Sequence, residues 1–310
     1  MKVVFMGTPE IAVPTLEKLI ENNIEVPLAL CQPDKPKGRG KKVLPPPVKE
    51  AALKHNIEVY QPQSLKNNDE ALEKLKEIEP DFLVVVAYGK ILPVEVLDIP
   101  KKAPINVHFS LLPKYRGAAP VNWAIINGEE KTGVTTMIMA EGLDTGDMLL
   151  KLETEIGKKT TVDLSNELSY SGAELLIKTL NDFDNITPVK QNDEEASYAP
   201  LMKKSDGIID WSKPAVEIER KIRGFNPWPT AFTYLQGKTL KIYNSEVVKS
   251  SKSIDYGTIF DVNKKSFSVK CGDDALKILE LQLEGKKKMN TASFLSGVKL
   301  KDGEILGEHK

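Results

Sequence analysis

The sequence predicts a doubly wound α/β domain with a mostly parallel sheet, followed by a small β-barrel. Three observations carry this expectation. Strand-like and helix-like patterns alternate from the first residues to Leu180, the mark of strands joined by crossover helices. Within them Asp81–Ala87, DFLVVVA, is a near-continuous apolar run of the kind a central parallel strand shows when both its faces are covered. From Gly207 the pattern changes to short alternating runs separated by turns, which suits an antiparallel barrel.

The elements follow in order. Val3–Met6 reads as a buried strand; Gly7 turns the chain, Thr8 can cap, Pro9 suits a first helical position, and Ile11, Leu16, Leu19 and Ile20 give a helical apolar face. This GTPE turn is not the G-x-G-x-x-G fingerprint, so it gives no licence to infer a dinucleotide. Glu25–Cys31 is a second strand. The prolines and glycines of QPDKPKGRGKKVLPPPVK then leave no regular element, only a long mobile loop carrying Lys35, Lys37, Arg39, Lys41, Lys42 and, just beyond it, Lys49. It is either a solvated linker or a contact for a phosphate backbone. Arg39, between Gly38 and Gly40, is best placed to bond a phosphate bidentately.

Helix, short strand and helix recur through Val48–Ile57 and Asp69–Ile78. Tyr88-Gly89 ends the DFLVVVA strand; Pro104–His108 is the next strand, Val121–Ile126 a helix, Gly133–Met139 a strand and Leu164–Leu180 the last helix of the domain. Polar, aperiodic residues after Asn181 divide the chain into domains 1–187 and 207–310 with a linker at 188–206. The second domain is read as Trp211, a helix at Ala215–Arg223, the rigid FNPWPTAF, and strands at Thr239–Val248, Gly257–Val262, Phe267–Cys271 and Ala275–Leu283. Trp211 and Trp228 are read as core anchors, with an RNA-binding face as the alternative.

The chemistry concentrates in INVHFSLLPKYRGAAP, residues 105–120. Alternation puts Asn106 and His108 on one face of a strand end, where ligands of open α/β sheets bind. Downstream, Asp144 sits in the turn EGLDTGD, either as an Asx-turn or cap, or as a carboxylate held beside His108. A satisfied structural histidine is the alternative for His108.

Composition bounds the class. At 310 residues and 41% hydrophobic, two buried cores are affordable, and no stretch approaches the roughly 20 apolar residues of a membrane span. Two distant cysteines, Cys31 and Cys271, lack disulfide or metal-ligand spacing, so a reducing cytoplasmic home and no metal are expected. The net charge of -1 hides an asymmetry: Lys and Arg number 25 against 31 Asp and Glu over residues 1–206, and 18 against 13 over 207–310. A basic last third is compatible with a polyanionic partner.

Taken together, GTPEIAVPTLEKL, QPDKPKGRGKK, VVVAYGKILP, INVHFSLLPKYRGAAP, GVTTMIMAEGLDTGDML, IDWS and FNPWP resemble, in order and spacing, the bacterial methionyl-tRNA formyltransferases. The resemblance implies a Rossmann-like formyltransferase domain and an OB-like barrel, with 10-formyltetrahydrofolate as co-substrate. It implies a catalytic group of Asn106, His108 and Asp144, with Ser110, Leu111, Leu112 and Pro113 lining the folate site. It also implies tRNA contacts from the 33–47 loop through Lys35, Lys37, Arg39, Lys41 and Lys42 and from the C-terminal barrel, 207–310, as a tRNA-binding domain, and initiator methionyl-tRNA as partner of a monomeric, cytoplasmic enzyme. Phe109 departs from the small residue frequent in similar enzymes; its side chain should point away from the Asn106 and His108 face. Two other readings stand beside this one: a folate-dependent formyltransferase acting on a small amine, and a catalytically inactive RNA-binding relative.

Overall fold

The computed structural model describes residues 1–37 and 42–307. Two compact units emerge, one of residues 1–120, 131–155 and 165–199, the other of 121–130, 156–164 and 200–310.

In the first unit the strands are β1 (Lys2–Gly7), β2 (Glu25–Leu30), β3 (Lys35–Lys37), β4 (Lys42–Leu44), β5 (Glu58–Tyr60), β6 (Phe82–Val86), β7 (Ala103–His108), β8 (Arg116–Gly117), β9 (Lys131–Ile138), β10 (Met148–Glu155) and, later, β11 (Tyr198–Ala199). The helices up to this point are α1 (Val13–Glu21), α2 (Pro47–Lys54), α3 (Asp69–Ile78), α4 (Val94–Leu97), α5 (Pro120–Ile126) and α6 (Thr161–Asp182). Seven strands form one sheet in the order β10-β9-β7-β6-β1-β2-β5. Its β7-β6-β1-β2-β5 part is parallel, and β9 and β10 add antiparallel. The chain builds outward from β1 to β2 and β5, then crosses to β6 and β7 on the other side, so the order reverses between β1 and β6. The crevice of such a sheet lies beyond the carboxyl ends of its strands there.

The apolar runs explain the centre. Val3 to Met6 and Phe82 to Val86 are buried, as strands covered on both faces must be. Gly7 is required by close approach, since a Cβ there would lie 2.9 Å from that of Ala12 and 3.0 Å from the Val86 carbonyl. Thr8 does not cap: its hydroxyl donates to the Tyr88 carbonyl at 2.9 Å and accepts from Gln32 N at 3.2 Å, tying together the ends of three neighbouring strands. Phe109, 6% exposed, lies over Gly172 of α6 with Val107, on the face opposite Asn106 and His108 as alternation requires.

Three further differences from the sequence expectations have physical reasons. The basic stretch does form regular structure, because β3 and β4 pair antiparallel with Pro36 opposite Val43. A two-stranded ribbon has an outward edge on which a proline needs no ladder bond. The strand β10 follows the EGLDTGD turn as an edge strand with little burial beyond its first residues, so it carries no clear alternation. Residues 188–199, expected as linker, are built into the first unit: Val189 and Met148 exchange backbone hydrogen bonds of 2.8 Å, and β11 pairs with β8.

The second unit contains α7 (Ala215–Gly224), β12 (Ala231–Leu235), β13 (Lys238–Val248), β14 (Ile259–Phe260), β15 (Ser268–Lys270), β16 (Ala275–Leu283), β17 (Met289–Asn290) and α8 (Thr291–Gly297). Its sheet runs β12-β13-β16-β15-β14 with β17 on β16, all antiparallel. One core joins α7 to this sheet, with Trp211, Ile218, Ile222, Leu240, Ile242, Phe267 and Leu281 all buried. Trp211 is the anchor expected, its indole N–H donating to Thr233 Oγ1 at 3.1 Å. Trp228 is not: it is 54% exposed in the FNPWP turn. Among the described residues no helix is long and apolar enough to cross a membrane.

Candidate active site

The site grows from the end of β7. Pairing with β6 and β9 buries every residue of this strand, so Asn106 (9% exposed) and His108 (5%) are polar groups that need partners. His108 Nε2 lies 2.9 Å from the Tyr115 carbonyl. A carbonyl only accepts, so Nε2 carries a proton and Nδ1 is the nitrogen free to change protonation state.

That second nitrogen faces Asp144, whose Oδ2 is 3.7 Å away. This is too long for a direct hydrogen bond and close enough for charge support. Asp144 Oδ2 also accepts the Gly117 N–H at 2.8 Å, and Oδ1 accepts Asn106 Nδ2 at 3.3 Å. One carboxylate thus lies between carboxamide and imidazole. The turn that presents it is strained: Asp144 has φ of 54°, in the left-handed region, and a Cβ at Gly146 would fall 1.8 Å from the Ile138 carbonyl.

The Ser110–Pro113 turn is held from within. Ser110 Oγ donates to the Lys114 carbonyl at 2.6 Å; Thr135 Oγ1 donates to the Ser110 carbonyl at 2.7 Å and accepts from Leu112 N at 3.2 Å. Ser110, Leu112 and Pro113 are buried, Leu112 packing with Met137 and Met148, while Leu111 is partly exposed. Lys151 Nζ reaches the Leu112 carbonyl at 2.6 Å, and burial pushes its ammonium below the ordinary lysine range. Beside β7 a cavity of about 440 Å³ opens, walled by Val94, Leu97, Pro104, Ile138, Met139 and Glu141 among others. It touches the residue two before Asn106 and the chain leading into the Asp144 turn.

On the basic stretch, Lys35 is exposed on β3, and the backbone of Lys37 pairs with that of Lys42 in the β3–β4 register. Arg39 and Lys41 lie outside the described residues. Lys49 is not an available cation, since Asp34 holds it at 2.8 Å with Gln61 at 2.7 Å. The same lysine bond, with Gln61, keeps the Asp34 carboxyl below the usual range.

Residues 1–180 match the family described as Formyl transferase, and 201–299 the Formyl transferase C-terminal domain. Over 310 residues the chain is 51% identical to methionyl-tRNA formyltransferase of Clostridium novyi (strain NT), covering 99% of this chain and 100% of that one. It is 52% identical over 309 residues to the protein of that name from Clostridium acetobutylicum, covering 99% of each. The chain belongs to the methionyl-tRNA formyltransferase family. A solved N-formyltransferase from Helicobacter canadensis, in complex with folinic acid and dTDP-3-aminofucose, shares the fold at 24% identity and a TM-score of 0.67, over 93% of this chain and 100% of that one.

In this member of the methionyl-tRNA formyltransferase family, sequence reasoning missed the groups that hold the site in place. The Tyr115 carbonyl, the Gly117 N–H, Thr135, Arg116 and Gln191 all bond into it or beside it. Backbone donors and acceptors leave no residue-type signal. Only Arg116, Thr135 and Gln191 act through side chains and so were visible as residue types, and none of the three stood out.

Proposed function

We propose that this chain transfers the formyl group of 10-formyltetrahydrofolate to the α-amine of initiator methionyl-tRNA, giving formyl-methionyl-tRNA. The observation that carries the reading is the convergence of Asn106 and His108 on the Asp144 carboxylate, in a chain about half identical over its full length to enzymes of that name. The neutral amine attacks the formyl carbon and the carbonyl π electrons move to oxygen. The oxyanion takes a hydrogen bond from the Asn106 carboxamide, whose other N–H is directed at Asp144. His108, with Nε2–H on Tyr115, supplies positive charge or a proton through Nδ1, and Asp144 supports that charge. Collapse of the adduct breaks the bond to the folate nitrogen, which leaves with the electron pair and takes the proton lost by the amine, relayed on the Asp144 side.

The folate is substrate here, and the fit is physical. The cavity beside β7 falls in the size range of small-ligand sites, with apolar walls for a flat ring and edge polar groups at Asp98, Lys102 and Glu141. Within the SLLP turn Leu111 keeps surface and lies over Gly133 of β9, while Ser110, Leu112 and Pro113 are buried and hold the turn's shape. Lys35, Lys37, Arg39, Lys41 and Lys42 supply the electrostatic grip on the tRNA. The enzyme acts as a monomer in the cytoplasm; two free, buried cysteines support the reducing compartment.

The test is one assay: 10-formyltetrahydrofolate with methionyl-tRNA, uncharged tRNA or small amines, following folate product and acid-stable formyl-methionine. Turnover that requires the charged tRNA is the expected result. Equal or faster turnover with a small amine overturns it.

A further inference from the structure

Outside the motif residues, one buried polar network closes on the site. Gln191 is 5% exposed, and its amide nitrogen donates to the carbonyl of Asp144 at 2.8 Å and to that of Gly146 at 2.7 Å. Its Oε1 accepts Arg116 Nε at 2.9 Å, and Arg116, 2% exposed, reaches Asp193 at 2.8 Å with its other end. The next residue, Gly117, gives its N–H to the Asp144 carboxylate. A ring therefore runs from the Asp144 carbonyl through Gln191 and Arg116 to Gly117 and back to the Asp144 side chain. Gly117 can sit there only as glycine, with φ of 122° and 2.7 Å between a would-be Cβ and the Ala199 carbonyl.

We propose that Gln191 is a positioning residue for formyl transfer, fixing the Asp144 turn so that its carboxylate stays between Asn106 and His108. The inference rests on the reading of Asp144 given above. Both N–H donors and the oxygen of the Gln191 amide are engaged, and the two donors end on the backbone of the one turn that carries Asp144. Left-handed backbone at a non-glycine residue persists only where its surroundings over-determine it. On the β9 side Ile138 N binds the Asp147 carbonyl at 2.9 Å, and Gln191 is the side chain that grips the middle of the turn. Removing it frees the carboxylate to move relative to His108 while leaving every motif residue in place.

Gln191→Leu keeps the size and loses all three bonds; Gln191→Glu keeps the acceptor for Arg116 and loses the donors. Each is assayed as the full chain for kcat and for KM toward both substrates, with melting temperature as a check on folding, and again in an Asp144→Asn background. Expected is a loss of about 10- to 100-fold in kcat, since a misplacement of about 1 Å can cost 10²-fold, with both KM values within about twofold. In the Asp144→Asn background the further loss shrinks below about threefold, because both changes act through one carboxylate. A kcat within about twofold of the parent, a loss confined to KM, or an undiminished loss in the Asp144→Asn background overturns the proposal. If the Leu variant does not fold, the Glu variant is read by the same criteria. Full activity of Asp144→Asn alone overturns the mechanism and this inference together; a slow Asp144→Asn beside a fast Gln191→Leu overturns this inference only.

Discussion

Asp144→Asn removes one charge and almost no volume. At the observed 3.7 Å, and with an effective dielectric constant of about 20, the carboxylate supports a charged His108 by at most about 4.5 kcal/mol. At 1.36 kcal/mol per decade that is a loss of up to about two-thousandfold in the chemical step. A second effect is structural. Two donors, Asn106 Nδ2 and Gly117 N, point at the side chain, and a carboxamide has one acceptor oxygen where the carboxylate has two. One donor is left unpaired, at a cost of about 1 to 3 kcal/mol in stability. The turn itself should hold, because Gln191 grips its backbone rather than the carboxylate. The assay is single-turnover formylation at saturating folate and charged tRNA, read as acid-stable formyl-methionine, beside tRNA binding and thermal unfolding. A loss of less than about tenfold in the single-turnover rate would refute the assignment of Asp144 as the support for His108.

Other outcomes follow from the same residues. Arg39→Ala should reduce the slope of log(kcat/KM) for tRNA against log salt by about 1 with the folate KM unchanged; a salt titration with an unaltered slope counts against the basic stretch as the tRNA grip. Burial pushes the Cys31 thiol up to about 11 and Cys271 up to about 12. Both should therefore react with a chromogenic disulfide at pH 8 at less than about 1% of the rate in the denatured chain, thiolate being the nucleophile; rapid release from the folded protein refutes this. At the start of α6 the Thr160 hydroxyl and N–H donate to Asp163 at 2.7 and 3.0 Å, and the side-chain bond first holds its carboxyl below the ordinary range. A depressed carboxyl stabilises the fold above its unfolded value and stops doing so as pH falls through the folded one. Asp163→Asn should thus cost up to about 1 kcal/mol near pH 7, and the difference should fade as the pH falls through and below the ordinary carboxyl range; melting curves differing equally at pH 7 and in strong acid would exclude it.

Much of the frame was legible because burial leaves a pattern. Val3–Met6 and DFLVVVA are apolar on both faces, and the helix at Asp69–Ile78 and the strand at Ala275–Leu283 appear with the predicted limits. Asn106 and His108 were legible for a geometric reason, the two-residue repeat of a strand. What failed to show was structure whose cause lies elsewhere in the chain. The edge strand β10 has a solvated face and needs no alternation; β3 and β4 form from lysines and prolines because each has the other as partner. Trp228 looked like a core residue because a large aromatic usually is one. For Asp144 the local sequence favoured a cap or Asx-turn over a partner of His108, since only the sheet brings residues 108 and 144 together. The hold of Gln191 on two carbonyls 45 and 47 residues away has no local signature at all.

The two compact units are interleaved along the chain, and this bears on how the protein is made. Residues 121–130 and 156–164 leave the ribosome in the midst of the first unit, yet they belong with a body whose remaining residues begin at 200. Ile126, which lies against Gly224 of α7, and Asn122 and Thr161, whose side chains bond the Gly224 carbonyl, are among the groups that must wait for that last third. A nascent chain stopped at residue 206 would hold every motif of formyl transfer and still display unsatisfied apolar surface, an invitation to chaperones or aggregation. Cutting between the two family segments is therefore a poor route to a free-standing catalytic fragment, and removing the last third by truncation confounds any loss of activity with a loss of folding.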